Sequence, residues 1–336
     1  MPGMSDFLRL HRRAAILLCA AILCAGPALV AEPVRVIFDT DIGNDVDDAL
    51  ALAILHGLES RGEAKILAVT ITKDNKYAAS FIDCVNTFYG RPGIPIGVVR
   101  NGKTPEDSAM IRVPATRRNA DGSFVYPHRI TDGARAPDAV FVLRSVLEKQ
   151  PDASVVFIQV GFSTNLARLL EAAPDLVAHK VRLLSAMAGS FPRGDPEYNV
   201  KTDIPAARRV FRDWPSPIVF SGFEIGQALL FPAASIEHDF AWAANHPVAE
   251  AYRNYMPMPY DRPTWDLTAA LYGVRADRGY FSISQPGTVD VDDKGRTVFT
   301  PDAKGTRRYL ILEPEQKARV LEALTLLASQ PRQDLR

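Results

Sequence analysis

Five aspartates, Asp39, Asp41, Asp45, Asp47 and Asp48, fall within ten positions of the stretch "VIFDTDIGNDVDDALALAILHGL", residues 36 to 58. Like charges at this spacing repel, so a fold gathers them only with a compensating cation. One or two aspartates are explained as charges at a helix N-terminus, but not five. Other polar groups recur after later apolar runs: Asn75 in "TKDN", Thr164 and Asn165 in "FSTN", and Glu197 and Asn199 in "EYN". These are carboxylates, amides and carbonyls, with no histidine or cysteine among them. Oxygen donors alone suit a hard cation, Ca²⁺ or Mg²⁺.

The elements that must position these groups alternate. "VRVIFDT", "KILAVTIT", "IPIGVV", "SVVFIQVG", "VRLLSAM" and "SPIVFSG" are short strand-like runs, most of them apolar on both faces. "DDALALAILHGLES", "KYAASFIDCVNTFYG", "PDAVFVLRSVLEKQ", "TNLARLLEAA" and "DIPAARRVFRD" carry helical spacing between them. The pattern predicts an α/β fold: a mostly parallel central sheet covered by helices on both faces. From about residue 279 the texture becomes a β-hairpin turning at "DDKG", followed by a closing amphipathic helix. Ligands of such sheets bind beyond the carboxyl ends of the strands, which is where the polar groups fall. The Arg-, Pro- and Gly-rich segment 101–131 is long enough to form a surface flap.

The N-terminus has a separate character. Arg9, Arg12 and Arg13 precede "AAILLCAAILCAGPALVA", the layout of a secretory signal peptide cleaved near Ala31. The expected mature chain, residues 32–336, is one domain of 336 − 31 = 305 residues and is exported, periplasmic or secreted. It keeps one cysteine, Cys84, and so has no internal disulfide. Its 36 Lys+Arg against 38 Asp+Glu leave a net charge of −2. No basic stripe points to nucleic acid, and no second apolar span points to a membrane after cleavage. His56 and His128 stand without a partner pattern.

Taken together, "DTDIGNDVDDALAL", "GFSTNLA", "EYN", "DIPAARRVF" and "TWDLTAALYGV" resemble, in order, the signature segments of the inosine-uridine nucleoside hydrolases. The resemblance implies a Ca²⁺-dependent N-ribohydrolase acting on a small-molecule riboside, as a homodimer or homotetramer. It places Asp41, Asp48, the Thr164 carbonyl and Asp266 as calcium ligands. Asp47, Asn75, Glu197 and Asn199 would contact the ribose, and Asp39 would orient the aspartate loop. In the family a metal-bound water is the nucleophile and the aspartate matching Asp41 is its base.

Three departures stand out. The aspartate loop has two extra residues, Asn44 and Asp45, so that Asp45 competes with Asp48 as a ligand. Gly194-Asp195 replaces the usual Gly-Asn before "EYN". Trp265 stands where many members have a histidine that protonates the leaving base, which implies base stacking and a preference for purines. "VIFDTD" also resembles the haloacid dehalogenase phosphatases, with Asp39 as nucleophile, but that reading explains neither "EYN" nor "TWD". A riboside-binding protein without turnover is the non-enzymatic alternative.

Overall fold

The computed structural model describes residues 32–332, so the expected signal segment lies outside the described residues. Twelve strands are described: β1 (Val34–Thr40), β2 (Ala64–Lys73), β3 (Ile96–Lys103), β4 (Val155–Gln159), β5 (Val181–Met187), β6 (Ile218–Ser221), β7 (Leu230–Phe231), β8 (Arg262–Pro263), β9 (Ser282–Ile283), β10 (Gly287–Val291), β11 (Thr297–Pro301) and β12 (Arg307–Ile311). Seven of them run parallel in the order β3-β2-β1-β4-β5-β6-β12. The hairpin β10–β11 continues this sheet, β10 lying antiparallel to β12, and β9 adds to β12 on its own. From Pro33 onward the chain forms one compact unit.

Successive residues of a strand face opposite sides of a sheet. In β1, Val36 and Phe38 enter one core and Ile37 the other; in β4, Val156 and Ile158 part in the same way from Val155 and Phe157. Both faces of the sheet are therefore buried, which is why these strands read as unbroken apolar runs. The helices Asp47–Ser60, Ala78–Phe88, Trp265–Arg275 and Lys317–Ala328 cover the first face. Ala139–Leu147, Thr164–Ala172 and Ile204–Asp213 cover the second. The Asp47–Ser60 helix is apolar on nearly every side, and every residue in it but Glu59 is buried.

Two features differ from expectation. Segment 101–131 is a surface loop only in part: β3 extends to Lys103, and Ala109–Thr116 forms a helix packed against the helix Pro247–Tyr255, with Met110 and Ile111 buried, while residues 117–123 are exposed. Its charged and glycine-rich composition hid one short amphipathic turn. The strand β12 was also unforeseen, because "RRYLI" is brief and half charged; it pairs with β6 and ties the hairpin to the main sheet. Among the described residues no helix is long and apolar enough to cross a membrane.

Candidate active site

The strand order reverses between β1 and β4, and the crevice beyond their carboxyl ends is where an open α/β sheet binds ligands. β1 delivers Asp39 inside the sheet and Asp41 just past it. Asp39 is fully buried; its Oδ1 accepts from Thr70 Oγ1 (2.5 Å) and Asn165 Nδ2 (2.8 Å). Burial pushes its carboxyl up to about 7 against these hydrogen bonds. Asn165 also donates to the Ile71 carbonyl at 3.1 Å, so it clamps β1 and β2 rather than capping its own helix. Asp39 is absent from the cavity wall, which removes the nucleophile of the phosphatase reading and fits the part of a strap behind the loop.

Beyond this strap lies a cavity of about 530 Å³. Asp41, Asp45, Asp47, Asp48, Asp195, Glu197 and Asp266 bring seven carboxylates to its wall. Asn199 and Ser190 add neutral polar groups, and Tyr198, Phe223 and Trp265 add aromatic surface. A mixed apolar and polar cavity of this volume suits a ligand of nucleoside size. Gly161, after β4, lets the walls close: a Cβ there would lie 2.6 Å from the Asp41 nitrogen and 2.5 Å from Thr72 Oγ1.

The carboxylates differ in their partners. Asp48 takes a short hydrogen bond from Thr40 Oγ1, and its Oδ2 is buried with no partner. Asp41 Oδ2 accepts from Asn44 Nδ2 at 2.8 Å. Burial, and then the charge of neighbouring aspartates, raises all of Asp41, Asp48 and Asp266, Asp41 to about 8. Asp45 is instead satisfied by Tyr255 Oη at 2.5 Å and the Arg262 guanidinium at 3.0 Å, which leaves Asp48 as the better-placed ligand. Arg262 also meets Asp47 Oδ1 at 2.9 Å, while Asp47 Oδ2 accepts from the Asp266 backbone N–H at 3.3 Å.

The other predicted residues divide. Glu197 caps the short helix Tyr198–Thr202, accepting from the N–H groups of Asn199 (2.8 Å), Val200 (3.2 Å) and Gly189 (3.0 Å). Its burial raises it to about 7. Asn199 Nδ2 donates to the carbonyls of Val160 (2.8 Å) and Met187 (3.1 Å), so it joins the ends of β4 and β5 at the cavity wall. Trp265 Nε1 donates to the Phe223 carbonyl at 2.9 Å, and the two rings stack 5.2 Å apart.

Two placements are corrected. Asn75 is outside the cavity: its amide donates to the Glu106 carbonyl at 2.9 Å and its Oδ1 accepts from the Tyr77 N–H at 2.8 Å. It anchors the chain after β3 because β2 continues to Lys73 and carries Asn75 past the crevice. Thr164 opens a helix with its hydroxyl on Asp203, 2.5 Å away, and is also off the cavity wall. Val160, directly after β4, reaches that wall in its place. Neither His56 nor His128 lines the cavity.

Among the described residues no group of three or more carboxylate, imidazole or thiol side chains is drawn together as a finished metal cage. The donor chemistry nevertheless fits a hard cation: oxygen ligands only, an orphaned buried Asp48 oxygen and three mutually repelling carboxylates.

The fold and this wall define a carboxylate-lined pocket at the topological switch point of an open, mostly parallel α/β sheet. The sequence matches the inosine-uridine preferring nucleoside hydrolase family over residues 36–327, and the chain belongs to that family. It is 27% identical over 212 residues to a pyrimidine-specific ribonucleoside hydrolase, RihA, of Klebsiella pneumoniae, a match covering 60% of this chain and 64% of that one. The chain thus spans just under two thirds of that relative. In fold it is similar to an inosine-uridine preferring nucleoside hydrolase of Bacillus anthracis (TM-score 0.68, 20% identity, 88% of this chain and 99% of that one). The type III effector protein XopQ, solved with adenosine diphosphate ribose, is also similar (TM-score 0.63, 19% identity, 94% and 98% covered).

Proposed function

We propose that the protein hydrolyses the N-glycosidic bond of ribonucleosides, purines preferred, with a bound Ca²⁺ as cofactor. The observation that carries this reading is the gathering of Asp41, Asp47, Asp48 and Asp266 on one cavity wall that also carries Glu197, Asn199 and a Phe223–Trp265 aromatic pair. Asp41, Asp48 and Asp266 would hold the cation, with the Val160 carbonyl replacing that of Thr164. When bound, the cation supplies positive charge that acidifies water and favours ribose hydroxyls as neighbours.

Asp41 then takes the proton of the attacking water. The C1′–O bond forms as the C1′–N bond breaks, and the bonding pair leaves with the base nitrogen, which must gain a proton. Asp47, Glu197 and Asn199 hold the ribose, and the carboxylates favour positive charge developing on the sugar ring. Trp265 offers the base a stacking face rather than a proton; its Nε1–H is already spent on Phe223. Stacking is worth only about 0.5–1.5 kcal/mol beyond burial, so the base must be protonated from elsewhere, and N7 of a purine accepts a proton readily.

The test is release of free ribose from inosine, adenosine and uridine in the presence of Ca²⁺. Purine ribosides should turn over fastest and 2′-deoxynucleosides poorly; efficient uridine cleavage would overturn the preference, and no ribose from any riboside would overturn the reading. Trp265→Ala should slow purine cleavage more than cleavage of a nitrophenyl riboside, whose leaving group needs no proton. We also propose export, to be checked by N-terminal sequencing of the extracytoplasmic protein, which should begin near Glu32.

A further inference from the structure

The two residues that lengthen the aspartate loop have separate tasks, and that of Asn44 leads to a lysine. Lys73, the last residue of β2, is 3% exposed. Its Nζ donates to Asn44 Oδ1 at 2.8 Å and to the Thr104 carbonyl at 2.6 Å, with the exposed Glu106 carboxylate 4.0 Å away. Burying an ammonium is costly unless its donors are used in a specific arrangement.

The orientation of the Asn44 amide follows from its partners. Lysine only donates, so Oδ1 must face Lys73, and that turns Nδ2 toward Asp41. Nδ2 also reaches Thr104 Oγ1 at 3.2 Å. Thr104 is held with φ at +52°, an unfavourable conformation for a threonine, and it presents both its hydroxyl and its carbonyl to this network. Gly43 (φ +111°) brings the loop against the lysine stem, where a Cβ would lie 3.0 Å from Lys73 Cδ and 2.6 Å from Ile111 Cδ1.

The geometry points to Lys73 as a positioning residue that acts through Asn44 to fix the carboxylate of Asp41. With Oδ2 held by Asn44, Oδ1 is the oxygen left for a ligand or a proton. This inference rests on the reading of Asp41 as base and cation ligand given above. Partners that orient a ligating carboxylate typically contribute about 10–100-fold to affinity or activity when removed.

The test is a double-mutant cycle of Asn44→Ala and Lys73→Met, read both as kcat and KM on the best riboside and as Ca²⁺ affinity by calorimetry. Each single variant should lose about 10–100-fold in kcat and in Ca²⁺ affinity with KM nearly unchanged. The double variant should be no worse than either single one, because both changes cut the same chain. Asn44 is in a loop, so its variant reports even where Lys73→Met fails to fold. Wild-type kcat and Ca²⁺ affinity in Asn44→Ala, or fully multiplicative losses in the double variant, would overturn the inference while leaving the hydrolase reading intact. Ca²⁺ binding weakened as expected, in a wild-type protein that cleaves no riboside, would support the positioning and sink the hydrolase reading. A wild-type protein that binds no Ca²⁺ would overturn both.

Discussion

Arg262 changes the electrostatic account of the aspartate cluster. The need for a compensating positive charge was legible from five crowded aspartates, but the chain itself supplies part of it: one guanidinium pairs with Asp45 and Asp47. That contact spans 215 residues and leaves no local pattern, which is why the sequence did not reveal it. The one available signal was the position of "RPTWD", with Arg262 four residues before a predicted ligand. Arg262 and Asp47 are both nearly sealed from water, so removing one strands the other. Arg262→Met should destabilise the protein by about 3–5 kcal/mol in urea denaturation. A loss below about 1 kcal/mol, the level of an exposed pair, would show that Asp47 is neutral or otherwise compensated. Asp41→Asn should behave differently. It keeps an oxygen donor but removes the base, so kcat should fall by about 10²–10⁴-fold, the usual contribution of a general base, while substrate binding changes little. A wild-type rate would end the assignment of Asp41.

At the scale of elements, three runs read as strands or helices match the structure residue for residue: "VRVIFDT" is β1, "VRLLSAM" is β5 and "DDALALAILHGLES" is the Asp47–Ser60 helix. Each is long and apolar enough for its period to be unambiguous. What escaped notice was short or depended on remote pairing, as with β12 and the helix Ala109–Thr116. The site residues follow the same division. Asp41, Asp47, Asp48, Glu197, Asn199, Trp265 and Asp266 reach the cavity because each closely follows a strand or opens a helix pointing at it. Asn75 and Thr164 missed it because β2 runs on to Lys73 before Asn75, and because Thr164 lies beyond the end of β4 as the first residue of a helix. The register at the end of β4 is therefore critical, and Gly161 sets it. Gly161→Ala would force a methyl against the Asp41 backbone and Thr72. Overpacking of this kind costs about 1–3 kcal/mol. Because the strain falls on the aspartate loop, ribose release should drop further than the shift in Tm alone accounts for. Normal turnover at unchanged Tm would show that the loop yields freely.

The whole molecule binds its charge cluster into its stability. Asp39 and Glu197 are raised to about 7 and Asp41 to about 8, mainly by burial, and Asp48 and Asp266 are raised as well. Unfolded, these groups would titrate near their ordinary values of about 4. Between pH 4 and 8 the cation-free native state consequently holds protons that the unfolded chain has released. Stability falls with rising pH wherever the native state binds more protons, so it should be greatest near pH 4 and decline up to about pH 8. Each such group contributes about 1.4 kcal/mol per pH unit within its window, so even two acting together are large against a stability of about 5–15 kcal/mol. A divalent cation reverses the sign, because it binds the ionised carboxylates and must displace their protons. Melting curves in chelator should therefore show Tm dropping from pH 5 to pH 8. Added Ca²⁺ should raise Tm by an increment that is small at pH 5 and grows toward pH 8. A chelator-treated protein whose Tm is flat or rising over that range would show that the carboxylates are ionised and compensated within the chain, with Arg262 and Lys73 as the charges responsible. A Ca²⁺ increment independent of pH would place the cation away from the aspartate cluster.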